Sequence, residues 1–288
     1  MKRSGLFILI MFIVAGICTY MYVDTSESDV EYKRLLPPIP PPIPDTCIYS
    51  FIDSLEIPET KQEDEIISHT GYSFLYNEDH EQSNWVAYLL TEERAKATGK
   101  RNYNFRADPA VKTGTATDDD YKKSEYDRGH LAPFADMRWS ETAMYESFFF
   151  SNMSPQLHAF NDGIWKKLEE LGRYWAIEYD TVYIVTGPIL RDGLPVIGKK
   201  NKISVPEYFY KVFLNYTSKN IKGIGFIMPN EKSNKPLQDF AITIDSVEAV
   251  TGINFFYKLS KAQEECAEAT FSTSDWIWSK KEMTKKEQ

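Results

Sequence analysis

Residues 161–175 carry apolar side chains at Ile164, Trp165, Leu168, Leu171 and Trp175, with Lys166, Lys167, Glu170 and Arg173 between them. Steps of three and four residues put the apolar set on one stripe, so the segment predicts an amphipathic helix that must bury one face. Its partners follow in the chain. Residues 181–190, 206–216 and 221–228 are rich in Val, Ile, Tyr and Phe. The last two are separated by Thr217-Ser218-Lys219-Asn220, which suits an antiparallel hairpin. Residues 69–76 and 85–90 read as further strands, and residues 245–251, stopped by Gly252, as a short helix. Residues 108–123 are polar, with Pro109, Gly114 and consecutive aspartates, and read as a long loop. Strands and helices do not alternate regularly. The fold class is therefore α+β, with a mixed, mainly antiparallel central sheet flanked by helices, and not a doubly wound parallel sheet.

A chain of 288 residues that is 42% hydrophobic and 14% aromatic has ample material for one large core. The formal charge of −9 excludes a general nucleic-acid coat protein, which would be basic overall. It leaves room for an enzyme that meets a polyanion in one local groove. Met1-Lys2-Arg3 precedes an uncharged, mostly apolar run over residues 4–23, close to the roughly 20 residues that cross a bilayer. Basic residues before the run and Asp24, Glu27 and Asp29 after it predict a domain outside the cytoplasm. The run serves as a membrane anchor or, if it is cleaved, as a signal segment with a secreted product. The expected organisation is an N-terminal segment over 1–23, a proline-rich spacer over 24–46, one domain over 47–279 and a charged tail over 280–288. Within the spacer, PPIPPPIP at residues 37–44 favours a stiff polyproline II rod. Cys47 and Cys266 stand near the two ends of the domain, so an oxidising compartment would allow them to pair; two thiols remain the alternative.

The chemistry concentrates in Tyr126-Asp127-Arg128-Gly129-His130-Leu131-Ala132-Pro133, some thirty residues ahead of Asn161-Asp162-Gly163-Ile164-Trp165. An unperturbed imidazole titrates near 6.5 and accepts a proton from water at neutral pH. A lone histidine is more often structural. Here Arg128, two positions earlier, shares the His130 face of a strand and offers a planar fork for phosphate oxygens. Asn161 is a neutral oxygen donor suited to a hard cation such as Mg2+, and Glu169 follows two helical turns later. An ordinary helix cap at Asn161 and a solvated charge at Glu169 are the structural alternatives. With the chemistry granted, the set suits metal-assisted hydrolysis of a phosphodiester.

These motifs resemble the DNA/RNA non-specific endonuclease family, the ββα-metal (His-Me finger) group that includes endonuclease G. The resemblance rests on Asp-Arg-Gly-His-Leu-Ala-Pro at 127–133, Ala135-Asp136-Met137, Phe150-Ser151-Asn152-Met153-Ser154-Pro155-Gln156, and Asn161-x-Gly163-x-Trp165-x-x-Leu168-Glu169. They occur in the family's order. Weaker echoes at 84–88, 106–109 and 251–256 extend the likeness over about residues 70 to 270. The resemblance implies a ββα-metal finger with His130 as general base and Asn161 as the sole protein ligand of Mg2+, with Mn2+ able to substitute. It implies that Glu169 orients water and that Asn152 bonds near His130 and fixes its ring. Arg128 would hold phosphate, and an upstream arginine, Arg106 or its rival Arg101, would serve the transition state. DNA and RNA are the implied substrates, and no nucleotide cofactor is implied. A homodimer stays open. The alternative is a catalytically inactive surface nucleic-acid-binding protein of a DNA uptake system.

Overall fold

The computed structural model describes residues 10–14, 17–21, 52–100, 104–217 and 220–278. The chain divides into two units, residues 1–47 and 48–288. In the first, β1 (Ile10–Val14) and β2 (Ile17–Met21) pair antiparallel, with Ile10 opposite Met21. The described part of the apolar run is thus a strand pair and not the single membrane-crossing helix expected from it. An apolar run satisfies either conformation, and hydropathy alone does not choose between them. Among the described residues, no helix is long and apolar enough to cross a membrane. The polyproline run, Cys47, Arg101 and the charged tail lie outside the described residues.

The second unit is built on a seven-stranded sheet of order β13-β12-β11-β8-β5-β4-β3. Its strands are β3 (Ile66–Ser68), β4 (Ser73–Asn77), β5 (Gln82–Thr91), β8 (Thr181–Pro188), β11 (Tyr208–Thr217), β12 (Asn220–Pro229) and β13 (Ala241–Ile242). Two short strands, β9 (Val196–Ile197) and β10 (Ile203–Ser204), pair antiparallel apart from it. Every neighbouring pair in it is antiparallel, as the α+β reading requires. The hairpin expected around residues 217–220 joins β11 to β12, with Thr217 opposite Asn220. Residues 69–76 do not form one strand. They hold the turn between β3 and β4, closed by the His69 N–H donating to the Tyr72 carbonyl at 2.8 Å.

Both faces of the sheet are covered, which is why its strands read as nearly continuous apolar runs. Along β11, Phe209 and Phe213 join a core with Ile164, Trp165, Leu168 and Trp175. Tyr210, Val212 and Leu214 face a second core with Ile244, Val247 and Phe255. Helices α1 (Glu92–Lys96), α2 (Asp118–Tyr121) and α3 (Glu141–Glu146) are short. A capping box between Thr117 and Asp120 starts α2 inside the stretch expected to be loop. The amphipathic stripe of the sequence is α4 (Lys166–Glu178), with Leu168, Leu171 and Trp175 buried. Each such side chain contributes roughly 1.5–3 kcal/mol on transfer from water. Helices α5 (Ile244–Thr251) and α6 (Lys261–Glu268) cover the other face. Helix α5 ends at Gly252 with φ +70°, the left-handed conformation glycine takes without strain.

Candidate active site

The motif 126–133 and the segment after it fold as two strands and a helix. β6 (Tyr126–His130) pairs antiparallel with β7 (Met153–Leu157), placing His130 opposite Met153 and Asp127 opposite Gln156. Gly129 is required at this pairing, because a Cβ there would fall 2.2 Å from Gln156 Cδ. After β7 the chain enters a π-helical turn, Phe160–Trp165, and then α4. Gly163 (φ −107°, ψ −115°) breaks the helical path. Asn161 therefore sits in a wide turn ahead of α4 and not in its first regular turn, as π-bulges at functional positions commonly allow.

His130 ends β6 with its ring against Phe148 (centroids 5.1 Å, edge-to-face) and Phe105 (5.7 Å). The chain just after it is pinned. Asn152, fully buried, accepts from the Ala132 N–H at 2.8 Å and donates to the carbonyls of Ala132 and Ser147 at 2.8 and 2.9 Å. Its backbone carbonyl accepts from the Leu131 N–H at 3.0 Å. Asn152 thus holds the backbone beyond His130, where the sequence reading had it fixing the ring.

Asn161 is tied to the same strand. Its Nδ2 donates to Asp127 Oδ2 at 2.9 Å, which turns Oδ1 away from Asp127. The same carboxylate oxygen is met by His158 Nδ1 at 2.9 Å, and that bond raises the His158 pKa although its ring is exposed. Arg128 lies with its guanidinium 4.6 Å from the centre of the Phe105 ring and donates to Asp118 at 2.9 Å. Phe105 thus touches both the cation of Arg128 and the imidazole of His130. Arg106 is joined to this wall through its backbone, which bonds to Phe148 and Phe150, while its guanidinium lies 3.7 Å from the centre of the Tyr145 ring.

Glu169, on α4, stands in an electrostatic cluster that the motifs did not suggest. Burial pushes its carboxyl up to about 7; Asp136 adds to the rise, and Lys211 and Arg173 oppose it. Lys211 projects from the middle of β11 into the core, with its ammonium 4.7 Å from the centre of the Trp165 ring and donating to the Leu131 carbonyl at 3.3 Å. Burial lowers its pKa to about 8, against the pull of Glu169 and Asp136. Arg173 pairs with the buried Asp136 at 2.7 Å, and Asp136 also accepts from the Tyr88 hydroxyl at 2.8 Å. Lys211 had a visible signal, a single cation inside the apolar run of residues 208–216. The Asp136–Tyr88 and Asp136–Arg173 pairs had none, since the partners are far apart in the chain. His69, which carried no supporting pattern in the sequence, is a packed structural group. It bonds to Asp108 at 2.7 Å among the rings of Tyr72, Phe74 and Phe149.

A histidine closing one strand of a ribbon, with a carboxamide presented by the crossing helical segment, is the layout of the ββα-metal nucleases. The pattern of the DNA/RNA non-specific endonuclease family matches residues 55–262, and the chain belongs to that family. It is 34% identical to human mitochondrial endonuclease G over 202 residues, covering 65% of this chain and 68% of that protein. It is 32% identical to the mitochondrial nuclease EXOG of Danio rerio over 234 residues, covering 76% of this chain and 68% of the relative. The structure of EndoG in complex with its inhibitor EndoGI superposes with a TM-score of 0.66 at 30% identity, covering 73% of this chain and 91% of that one.

Proposed function

We propose that this protein is a Mg2+-dependent, sugar-nonspecific endonuclease that hydrolyses the phosphodiester bonds of DNA and RNA. The observation that carries the reading is the tie between Asn161 and Asp127, which holds the carboxamide to the strand that ends in His130. The donor set fits a hard cation. Asn161 Oδ1 is a neutral oxygen facing away from its carboxylate neighbour, and Mg2+ takes few protein ligands and keeps several waters. Mn2+ suits the same donor. Bound there, the metal supplies positive charge to the phosphoryl oxygens and to the departing 3′ oxygen.

The chain's own groups do the rest. The imidazole of His130, held between Phe105 and Phe148, takes the proton of a water as that water's oxygen bonds to phosphorus. The P–O3′ bond breaks in line, leaving a 5′-phosphate and a 3′ oxygen that takes a proton from solvent. Asn152 fixes the backbone beyond the base, so that the imidazole meets the water in one orientation. Arg128 exchanges its exposed partner Asp118 for a substrate phosphate. Arg106 serves the crowded phosphoryl oxygens, and Glu169, as carboxylate, orients water. Location outside the cytoplasm is proposed on the sequence of residues 1–29 alone.

The test is a cleavage assay of the full chain on plasmid DNA and on RNA, with Mg2+ and with a chelator. The reading predicts that both polymers are cut with Mg2+ and neither with chelator. Equal cutting in chelator contradicts the metal's role.

A further inference from the structure

On the face of the sheet opposite α4, α5 and α6 both pack on β12. Gly223 of β12 lets them sit low. A Cβ there would fall 2.2 Å from the Ala267 carbonyl oxygen in α6 and 2.5 Å from Ile244 Cδ1 in α5. The close seating brings Asp245 and Glu248, three residues apart on α5, to Glu268 at the end of α6. One carboxylate oxygen from each lies within 4.8 Å of the other two.

Glu268 is 1% exposed, and its Oε1 is buried with no hydrogen-bond partner among the described residues. A buried carboxylate oxygen without a partner is expensive to maintain. The charges that act on Glu268 are all of its own sign: Glu248, Glu264 and Asp245. Burial and these neighbours push its carboxyl up to about 9, and burial pushes Glu248 up to about 7. Glu248 is oriented by the Phe255 N–H, which donates to its Oε1 at 2.7 Å. Asp245 is exposed, so one side of the cluster is open to water.

We propose that Asp245, Glu248 and Glu268 form a second, non-catalytic site for a hard divalent cation of the Ca2+ class. Ca2+ binds oxygen at about 2.3–2.6 Å, so two oxygens on one ion lie at most roughly 5 Å apart, a limit within which the three carboxylates fall. Ca2+ tolerates irregular, carboxylate-rich oxygen sites, whereas Mg2+ demands near-ideal octahedral geometry and keeps several waters. The C-terminal end of α6 adds the negative end of its dipole on the Glu268 side. The ion clamps α5 to α6 over β12, gives the buried Glu268 carboxyl a partner and offsets the repulsion that the three carboxylates have when all are ionised.

The proposal is independent of the nuclease reading, and its test removes the catalytic metal position first. Calorimetric titration of Ca2+ into the full chain carrying Asn161→Ala is expected to show one ion bound per chain, with a dissociation constant on the order of 10⁻⁴ M or tighter. Adding Glu268→Gln is expected to weaken binding at least about tenfold, since a charged ligand is removed. Adding Asp245→Asn instead is expected to do the same, and this exposed position leaves the packing untouched should the buried substitution disturb folding. Absence of Ca2+ binding to the Asn161→Ala protein, or binding in both double variants as tight as in Asn161→Ala alone, would overturn the proposal.

Discussion

Asn161 and Asp127 share a hydrogen bond of 2.9 Å, in which the carboxamide donates from Nδ2 and the carboxylate accepts. The bond spans the gap between β6 and the turn before α4 and decides which end of the amide faces outward. It makes Asp127 a positioning residue for the proposed metal ligand. Partners of this kind typically change metal affinity by about 10–100-fold when removed. Asp127→Ala is therefore expected to raise the Mg2+ concentration for half-maximal cleavage by about 10–100-fold, with kcat at saturating Mg2+ falling only a few-fold. A loss of kcat with unchanged metal dependence would remove Asp127 from this role.

The pH dependence follows from Glu169. Its neighbours are Asp136 and Tyr88 from the core, Arg173 and Glu170 on α4, and Lys211 on β11. Its folded pKa, about 7, lies above the ordinary value of 4.5, so folding favours the protonated form. Its contribution to stability is thus fully present below about pH 4.5 and is lost as pH rises through about 7. Activity has the opposite sign, because the proposed role needs the carboxylate. Cleavage is therefore expected to rise with pH through about 7. Lys211→Met takes away a charge that pulls the carboxyl down, so the rising limb of the rate–pH profile is expected to move to higher pH. An unmoved limb in that variant would separate Glu169 from the profile.

Gly129 tests the ribbon itself. A side chain there collides with the buried Gln156, whose Cδ would lie 2.2 Å from a new Cβ. Gly129→Ala is expected to lower stability by about 1–3 kcal/mol in a denaturant titration, the usual range for overpacking. Unchanged stability would mean that β6 and β7 do not pair in this register.

How much of this was legible in the chain depended on whether a residue's partner was local. The stripe 164–175, the hairpin 217–220 and the stop at Gly252 are short-range patterns, and each became the element expected. The segment carrying Asn161 was less legible, because Gly163 adopts a non-helical conformation inside an otherwise helical stripe. The turn at residues 69–72 was hidden because His69 and Tyr72 are polar-aromatic residues that suit a strand or its end equally well. Within the site, the resemblance marked His130, Asn161 and Glu169 by type and order. It marked Asn152 as well, but not its action through the backbone of Ala132, and Lys211, which arrives from a strand about eighty residues later, it did not mark. The apolar N-terminal run shows the limit of hydropathy, which fits the strand pair β1–β2 as readily as a helix.

The most direct measurement is single-turnover cleavage of plasmid DNA in saturating Mg2+ by the full chain and by His130→Ala. If His130 takes the proton of the attacking water, the rate falls by about 10²–10⁴-fold while DNA binding is retained. A variant that cuts within a few-fold of the unchanged protein would contradict the account.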